Sequence, residues 1–141
     1  FQLDEVAMEV KAWTLLQELA ARIPSVREPV ASLSGGQRQR ICIARALAMN
    51  PRLLFVSEPT RGIDVGSKEE IYHLITELAR QGKAIIMISS DLPEVLGMSD
   101  RIMVMYEGRV MGELSAEEAT QERVLAYSFG HTDAKQEEGT I

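Results

Sequence analysis

The stretch that decides the fold is Leu33-Ser34-Gly35-Gly36-Gln37-Arg38-Gln39-Arg40. It leads directly into apolar residues at helical spacing, so it predicts the capped start of a helix with Ser34 as the N-cap. The first amides of a helix lack intrahelical partners and lie at the positive end of its dipole, and glycines there let a phosphate approach the backbone. A Ser-Gly-Gly run alone is more often an ordinary cap, so the anion-binding interpretation depends on the segments on the C-terminal side of this helix.

A short apolar run comes after this helix. Residues 53–56 have the length of a strand and are apolar throughout, which predicts a strand covered on both faces in a parallel sheet. The run ends in Ser57-Glu58-Pro59-Thr60, and Arg61-Gly62-Ile63-Asp64 comes next. This order of parts resembles the nucleotide-binding domain of ABC ATPases over about residues 30 to 130.

Composition limits the possible functions. A chain of 141 residues can form one domain at most, and 45% hydrophobic residues are enough for a core of ordinary size. Its net charge of −6 argues against binding to nucleic acid. We find no apolar run long enough to span a bilayer and no signal peptide. Because Phe1 stands in place of an initiator methionine, we expect the chain to be a piece of a longer protein.

Periodicity predicts the remaining helices and strands. Apolar residues at three- and four-residue steps predict a helix from Asp4 to about Arg22. A capping box at Ser67 predicts a second long helix. Capping patterns at Asp91 and Ser115 predict a short helix and the last helix. The strands are predicted at residues 84–88, 102–106 and 109–113, the last two as a hairpin. The lone Cys42 is expected to be a buried thiol.

These elements predict an α/β fold with a mainly parallel sheet and flanking helices. The resemblance implies a partial P-loop NTPase fold of the ABC type, in which residues 1–130 are the C-terminal portion of a nucleotide-binding domain. Residues 1–50 would be its helical part with the signature, and residues 51–130 its α/β part. Residues 131–141 are polar and are predicted to be a disordered tail.

The resemblance also implies roles for the strand ends. Glu58 matches the catalytic glutamate that orients or deprotonates the attacking water. Ser57 stands where the family has the aspartate that holds the magnesium shell, and a hydroxyl is a poor substitute for that charge. Ser90 stands where the family has a switch histidine. We therefore expect this domain's own site to be degenerate, and nothing in the sequence predicts a metal site of another kind.

No Gly-x-x-x-x-Gly-Lys-Ser/Thr occurs in the 141 residues, so the phosphate-cradling loop and its strand are missing. The chain alone is therefore predicted to be inactive. The resemblance implies that the residues that would contact a partner domain's nucleotide are intact. Ser34, Gly35, Gly36 and Gln37 would hold the γ-phosphate of a nucleotide bound by a partner domain, and Asp64 would lie in the loop that couples the two sites.

Downstream residues narrow the family further. Residues 61–66 and 88–101 resemble the second ATPase domain of ribose-type monosaccharide importers. The resemblance implies ATP and Mg²⁺ as cofactors in the complete assembly, and a second nucleotide-binding domain, fused or separate, as a partner. It also implies membrane permease subunits, an indirect periplasmic sugar-binding protein, and a peripheral position at the cytoplasmic face of the inner membrane. Two alternatives stay open: a non-transport ABC ATPase, and a catalytically degraded regulatory ABC domain.

Overall fold

The computed structural model describes residues 4–131, which divide into two compact units between Ile88 and Ser89. The predicted tail from residue 132 onward lies outside the described residues. None of the helices within residues 4–131 is long and apolar enough to cross a membrane. The elements, in chain order, are α1 (Glu5–Glu18), a single 3₁₀ turn (Val30–Ser32), α2 (Gly35–Leu47), β1 (Leu53–Ser57), α3 (Val65–Arg80), β2 (Ala84–Ile88), α4 (Leu92–Met98), β3 (Arg101–Tyr106), β4 (Arg109–Ser115) and α5 (Gln121–Ser128).

The first unit is built on a strand–helix–strand arrangement. Strands β1 and β2 are parallel, with a register that runs from Leu53 opposite Ala84 to Ser57 opposite Ile88. Helix α3 connects them and buries Ile71, Ile75 and Leu78. The predicted α/β class and the parallel pairing are therefore confirmed.

The two faces of this small sheet differ. Leu54 and Val56 on β1 are buried, whereas Phe55 is 63% exposed and Ile86 on β2 is 44% exposed. The prediction that β1 is covered on both faces is wrong for this chain, because among residues 4–88 one face of the sheet is left open to solvent. An apolar parallel sheet is normally covered on both sides.

A buried guanidinium joins the helices of the first unit. Arg40 on α2 is 7% exposed, and it donates hydrogen bonds to the carbonyl of Leu19, at 3.0 Å, and to that of Ala20. It also forms an ion pair with Glu70 on α3. Helix α1 ends at Glu18, short of the predicted Arg22, because Ala20 takes a left-handed φ of 48° and turns its carbonyl into this cluster.

Three local predictions are wrong. Helix α3 begins at Val65 with Asp64 as its N-cap, so Ser67 lies inside the first turn. Helix α5 begins after Thr120, because the bonds between Ser115 and Glu118 close a turn that no helix continues. Cys42 is exposed, because α2 turns Arg40, Ile43 and Ala44 inward instead.

The second unit is a hairpin covered by a helix. Strands β3 and β4 are antiparallel, and both turn residues, Glu107 and Gly108, have positive φ, as a tight two-residue hairpin turn requires. Its core consists of side chains from the two strands and α5: Ile102, Val104, Leu114, Val124 and Tyr127. The predicted hairpin is confirmed, and it forms a sheet of its own within the described residues.

The open face of the first sheet gives a testable prediction for the isolated chain. We expect the 141-residue chain to bind the dye ANS under native conditions and to unfold with low cooperativity. Replacing Phe55 by Ser should lower dye fluorescence without lowering the thermal midpoint, since that side chain is 63% exposed.

The matched control is Val56→Ser on the same strand, where the side chain is 4% exposed. This change should lower the unfolding midpoint, because it places a hydroxyl in the core and leaves a cavity. A cooperative, high-melting monomer that binds no dye would contradict the account of the open face.

Candidate functional site

The start of α2 is held by a reciprocal cap. Ser34 has an extended backbone, and its Oγ accepts a hydrogen bond of 3.2 Å from the backbone N–H of Gln37. Gln37 Oε1 in turn accepts from the backbone N–H of Ser34 at 2.8 Å. The predicted N-cap is confirmed. The N–H groups of Gly35 and Gly36 have no acceptor within the helix, as at every helix start, so the segment can present two amides to an anion.

The side chain of Gln37 is already committed inside the chain. Besides the cap, its Nε2 donates a hydrogen bond of 2.5 Å to the carbonyl of Arg22, in the loop after α1. An amide nitrogen carries two protons, so one donor of Gln37 is left for another molecule. This contact fixes the loop against the helix start.

The two glycines let α2 approach another part of the same chain. A Cβ on Gly35 would lie 3.3 Å from the carbonyl oxygen of Gly62, and a Cβ on Gly36 would lie 3.1 Å from Cβ of Ser67. Both distances are shorter than most contacts that Cβ atoms make in proteins. We name residues 62–67 the coupling turn. Packing therefore also requires glycine at both positions. Sequence reasoning missed this requirement, because the neighbouring segment lies more than 25 residues away in the chain.

Asp64 lies in the middle of the coupling turn. Its Oδ1 accepts a hydrogen bond of 2.9 Å from the backbone N–H of Ser67, and its Oδ2 accepts one of 2.8 Å from the Ser67 hydroxyl. These bonds, the backbone one first, lower the pKa of Asp64 below its usual value of 3.8. The carboxylate is therefore charged at neutral pH and held in one orientation by its role as the α3 N-cap.

Ser57 and Glu58 lie at the carboxyl end of β1. Ser57 is exposed. The backbone N–H of Glu58 donates a hydrogen bond of 2.6 Å to the carbonyl of Ile88, one step beyond the ladder between β1 and β2. Glu58 has a φ of 47°, which is uncommon for a residue with a side chain, and it turns the backbone out of the strand at this point.

A rigid turn connects Glu58 with Asp64. Pro59 and Thr60 are fully buried, and the N–H groups of Arg61 and Ile63 donate to the carbonyls of Glu58 and Thr60, each at 3.2 Å. The strand end, the coupling turn and the start of α2 therefore form one continuous arrangement within the first unit.

Ser90 belongs to the second unit, and it is exposed at the start of the loop into α4. Its neighbour Ser89 donates a hydrogen bond to the carboxylate of Glu94 and accepts one of 3.0 Å from the N–H of Asp91. Asp91 is the N-cap of α4, as predicted. A neutral hydroxyl at position 90 can donate or accept a hydrogen bond but cannot carry a charge.

The residues at these positions fit the implied cofactors unequally. The capped start of α2 has the donors that a phosphate needs. Ser57 brings no negative charge to Mg²⁺, which prefers carboxylate and water oxygens. Within residues 4–131, no group of three His, Cys, Asp or Glu side chains lies close enough together to hold a metal ion.

A family profile and similar curated proteins all indicate ABC transporter proteins. A sequence profile of the ABC transporter family matches residues 2–61. The ribose import ATP-binding protein RbsA of Oceanobacillus iheyensis is 55% identical over 116 residues, which are 82% of this chain and 23% of that protein. The xylose import ATP-binding protein XylG of Moorella thermoacetica is 52% identical over 128 residues, which are 91% of this chain and 25% of that protein.

A third relative, from Geobacillus kaustophilus, is 58% identical over 116 residues, which are 82% of this chain and 23% of that protein. Its name describes an import ATP-binding protein for ribose, galactose or methyl galactoside. The chain thus spans about a quarter of the length of the curated relatives that it matches.

Solved structures agree with this result. An ATP-binding cassette of an ABC transporter superposes with a TM-score of 0.75 and 29% identity, over 90% of this chain and 52% of that one. A dimeric cassette in a post-hydrolysis state, bound to ADP and Pi, superposes with a TM-score of 0.70 and 27% identity, over 82% of this chain and 50% of that one.

The parallel strand pair and the capped glycine helix thus define part of an ATP-binding cassette. The chain belongs to the family of ABC transporter ATP-binding proteins.

The hydrogen bonds of Asp64 predict its titration. We expect the carboxyl carbon of Asp64, measured by NMR, to titrate with a midpoint below 3.8. In Ser67→Ala the midpoint should rise toward the ordinary value, because one donor to the charged form is lost. Since the folded-state pKa is depressed, the cap's contribution to stability is present above the unfolded value and is lost as the pH falls through the folded one.

The control is Ser115→Ala, which should leave the Asp64 midpoint unchanged because Ser115 binds Glu118 instead. An Asp64 midpoint at or above the ordinary value in the unmodified chain would show that its carboxylate is not capped by Ser67.

Proposed function

We propose that this chain is part of the ATP-binding subunit of a monosaccharide importer of the ribose type, and that it completes a partner's ATP site in trans. In this proposal residues 34–37, at the start of α2, hold the γ-phosphate of a nucleotide whose other phosphate contacts come from a partner domain. The observation that carries the proposal is the capped start of α2, with Gly35 and Gly36 at its first two positions.

The choice of substrate class is supported by the relatives' names. Those names give ribose for RbsA, xylose for XylG, and ribose, galactose or methyl galactoside for the Geobacillus protein. All are monosaccharides or simple derivatives of one. Because the chain spans about a quarter of these proteins, transport of a sugar is a property that we propose for the complete protein.

Pairing is supported by the chemistry of the helix start. Two backbone amides and one remaining amide proton of Gln37 can bind a terminal phosphate, but the sequence has no phosphate-cradling loop. A nucleotide at this surface therefore needs a second surface to hold its other phosphates. The solved dimeric cassette bound to ADP and Pi, at 27% identity, is consistent with paired domains in this family.

We further propose that the site at the end of β1 is catalytically weak. Bound ATP and Mg²⁺ would supply the reactive γ-phosphate and the neutralising charge there. Glu58 would orient the attacking water, since it is the carboxylate that the turn after β1 presents. Ser57 would leave the metal without a charged ligand from this strand, and Ser90 would contribute a neutral hydrogen bond where the family has a histidine.

The remaining partners belong to the same proposal. A second nucleotide-binding domain, fused or separate, would supply the phosphate loop, and permease subunits would hold the protein at the cytoplasmic face of the inner membrane. A periplasmic sugar-binding protein would act through those subunits. A regulatory domain that has lost turnover is the second candidate, and Ser57 favours it.

The test is Mg-ATP hydrolysis by the complete transporter. We expect Ser34→Arg to abolish turnover, because the guanidinium would fill the helix start and remove the cap. Cys42→Arg, which adds the same charge at an exposed position of the same helix, should have little effect. Normal turnover in Ser34→Arg would contradict a role of this helix in trans.

Ser57→Asp distinguishes a domain whose own ATP site is weak from a domain whose own site has no turnover. If this domain's own site binds nucleotide and lacks only the metal carboxylate, the substitution should raise turnover severalfold. Unchanged turnover in Ser57→Asp, combined with loss in Ser34→Arg, would indicate a domain that acts only on its partner's site.

A further inference from the structure

Ser67 is one of the residues of the coupling turn that the start of α2 approaches. Its Cβ lies 3.1 Å and its Oγ 3.3 Å from the place that a Cβ on Gly36 would occupy. Gly36 is buried at this contact. A side chain at position 36 would therefore press on Ser67, and glycine leaves room between the start of α2 and that side chain.

The same side chain holds Asp64. The Ser67 hydroxyl donates to Asp64 Oδ2 at 2.8 Å, and the Ser67 N–H donates to Oδ1 at 2.9 Å. Two atoms of one small residue thus face two different functional segments. The Cβ faces the glycine pair of α2, and the hydroxyl faces the carboxylate of the coupling turn.

We propose that Ser67 is a positioning residue that joins the phosphate-binding start of α2 to the Asp64 carboxylate. This inference rests on the proposed function of the α2 start and on the role in coupling two ATP sites that the family resemblance implies for Asp64. When a phosphate binds at α2 and shifts the helix start, the packing of Gly36 against Ser67 transmits the shift to Asp64 through the hydroxyl bond. Without that bond, Asp64 keeps its backbone cap but responds less closely to the helix.

The size of the side chain matters at this position. Alanine would keep the Cβ that packs on Gly36 and remove only the hydroxyl donor. Threonine would keep the donor but add a methyl group to the side chain that faces Gly36. Serine is thus the residue that fills the space and still reaches the carboxylate.

The experiment measures ATP hydrolysis by the complete transporter carrying Ser67→Ala. We expect kcat to fall about two- to tenfold, the range for loss of one hydrogen bond. KM for ATP should stay the same, because the packing on Gly36 is kept and Asp64 is not assigned to ground-state binding. In an Asp64→Ala background, Ser67→Ala should have no further effect, since the group through which it acts is gone.

The matched control is Ser115→Ala. Ser115 also donates its hydroxyl to an exposed carboxylate three residues away, Glu118, at 2.9 Å. Ser115→Ala removes the same kind of bond at a residue to which no part in nucleotide binding is assigned, so kcat should be unchanged. If Ser67 contributed only to stability, Ser67→Ala would lower the thermal midpoint and leave kcat unchanged, and that result would overturn the proposal.

Failure of this inference can be told apart from failure of the proposed function. If Ser34→Arg abolishes turnover while Ser67→Ala has no effect on kcat, the trans role stands and the positioning role is wrong. If Ser34→Arg leaves turnover intact, the proposed function itself is wrong, and the positioning role falls with it.

Discussion

The close approach of the α2 start to the coupling turn determines the arrangement of the candidate site. It is possible only because Gly35 and Gly36 lack the Cβ atoms that would meet Gly62 and Ser67 at 3.3 and 3.1 Å. Arg40, one turn further along α2, ties the same helix to the end of α1 and to α3. Removing that guanidinium would leave the buried Leu19 carbonyl without this donor, at a cost of about 1 to 3 kcal/mol. Function and packing thus share one helix.

The open face of the first sheet is lined by apolar side chains. The chain spans about half of the solved cassettes and about a quarter of its curated relatives. Phe55 and Ile86 are apolar although they face solvent here, and such a face is typical of a parallel sheet that is covered on both sides. The sequence of β1 therefore fits the environment of a larger domain better than that of this chain.

Much of the fold could be predicted from local patterns. The Ser34 cap and the hairpin turn at Glu107 are set by residue type and spacing alone. The choice between Asp64 and Ser67 as the cap of α3 could not be made that way, since both residue types are good caps and only the structure shows that Asp64 accepts from the Ser67 N–H. The exposure of Cys42 could not be predicted for a related reason, because the apolar positions of α2 do not show that the buried side of the helix is centred on a charged arginine.

Binding of the γ-phosphate at the α2 start can be measured directly, as protection of that segment by nucleotide in the complete transporter. A cysteine at Arg38, an exposed position in the first turn of α2, would be labelled with a maleimide and quantified by peptide mass spectrometry, with His73→Cys on α3 as the reference. If residues 34–37 hold the γ-phosphate, a non-hydrolysable ATP analogue with Mg²⁺ should slow labelling at position 38 relative to ADP and leave labelling at position 73 unchanged. Equal labelling rates at position 38 in both nucleotides would contradict it.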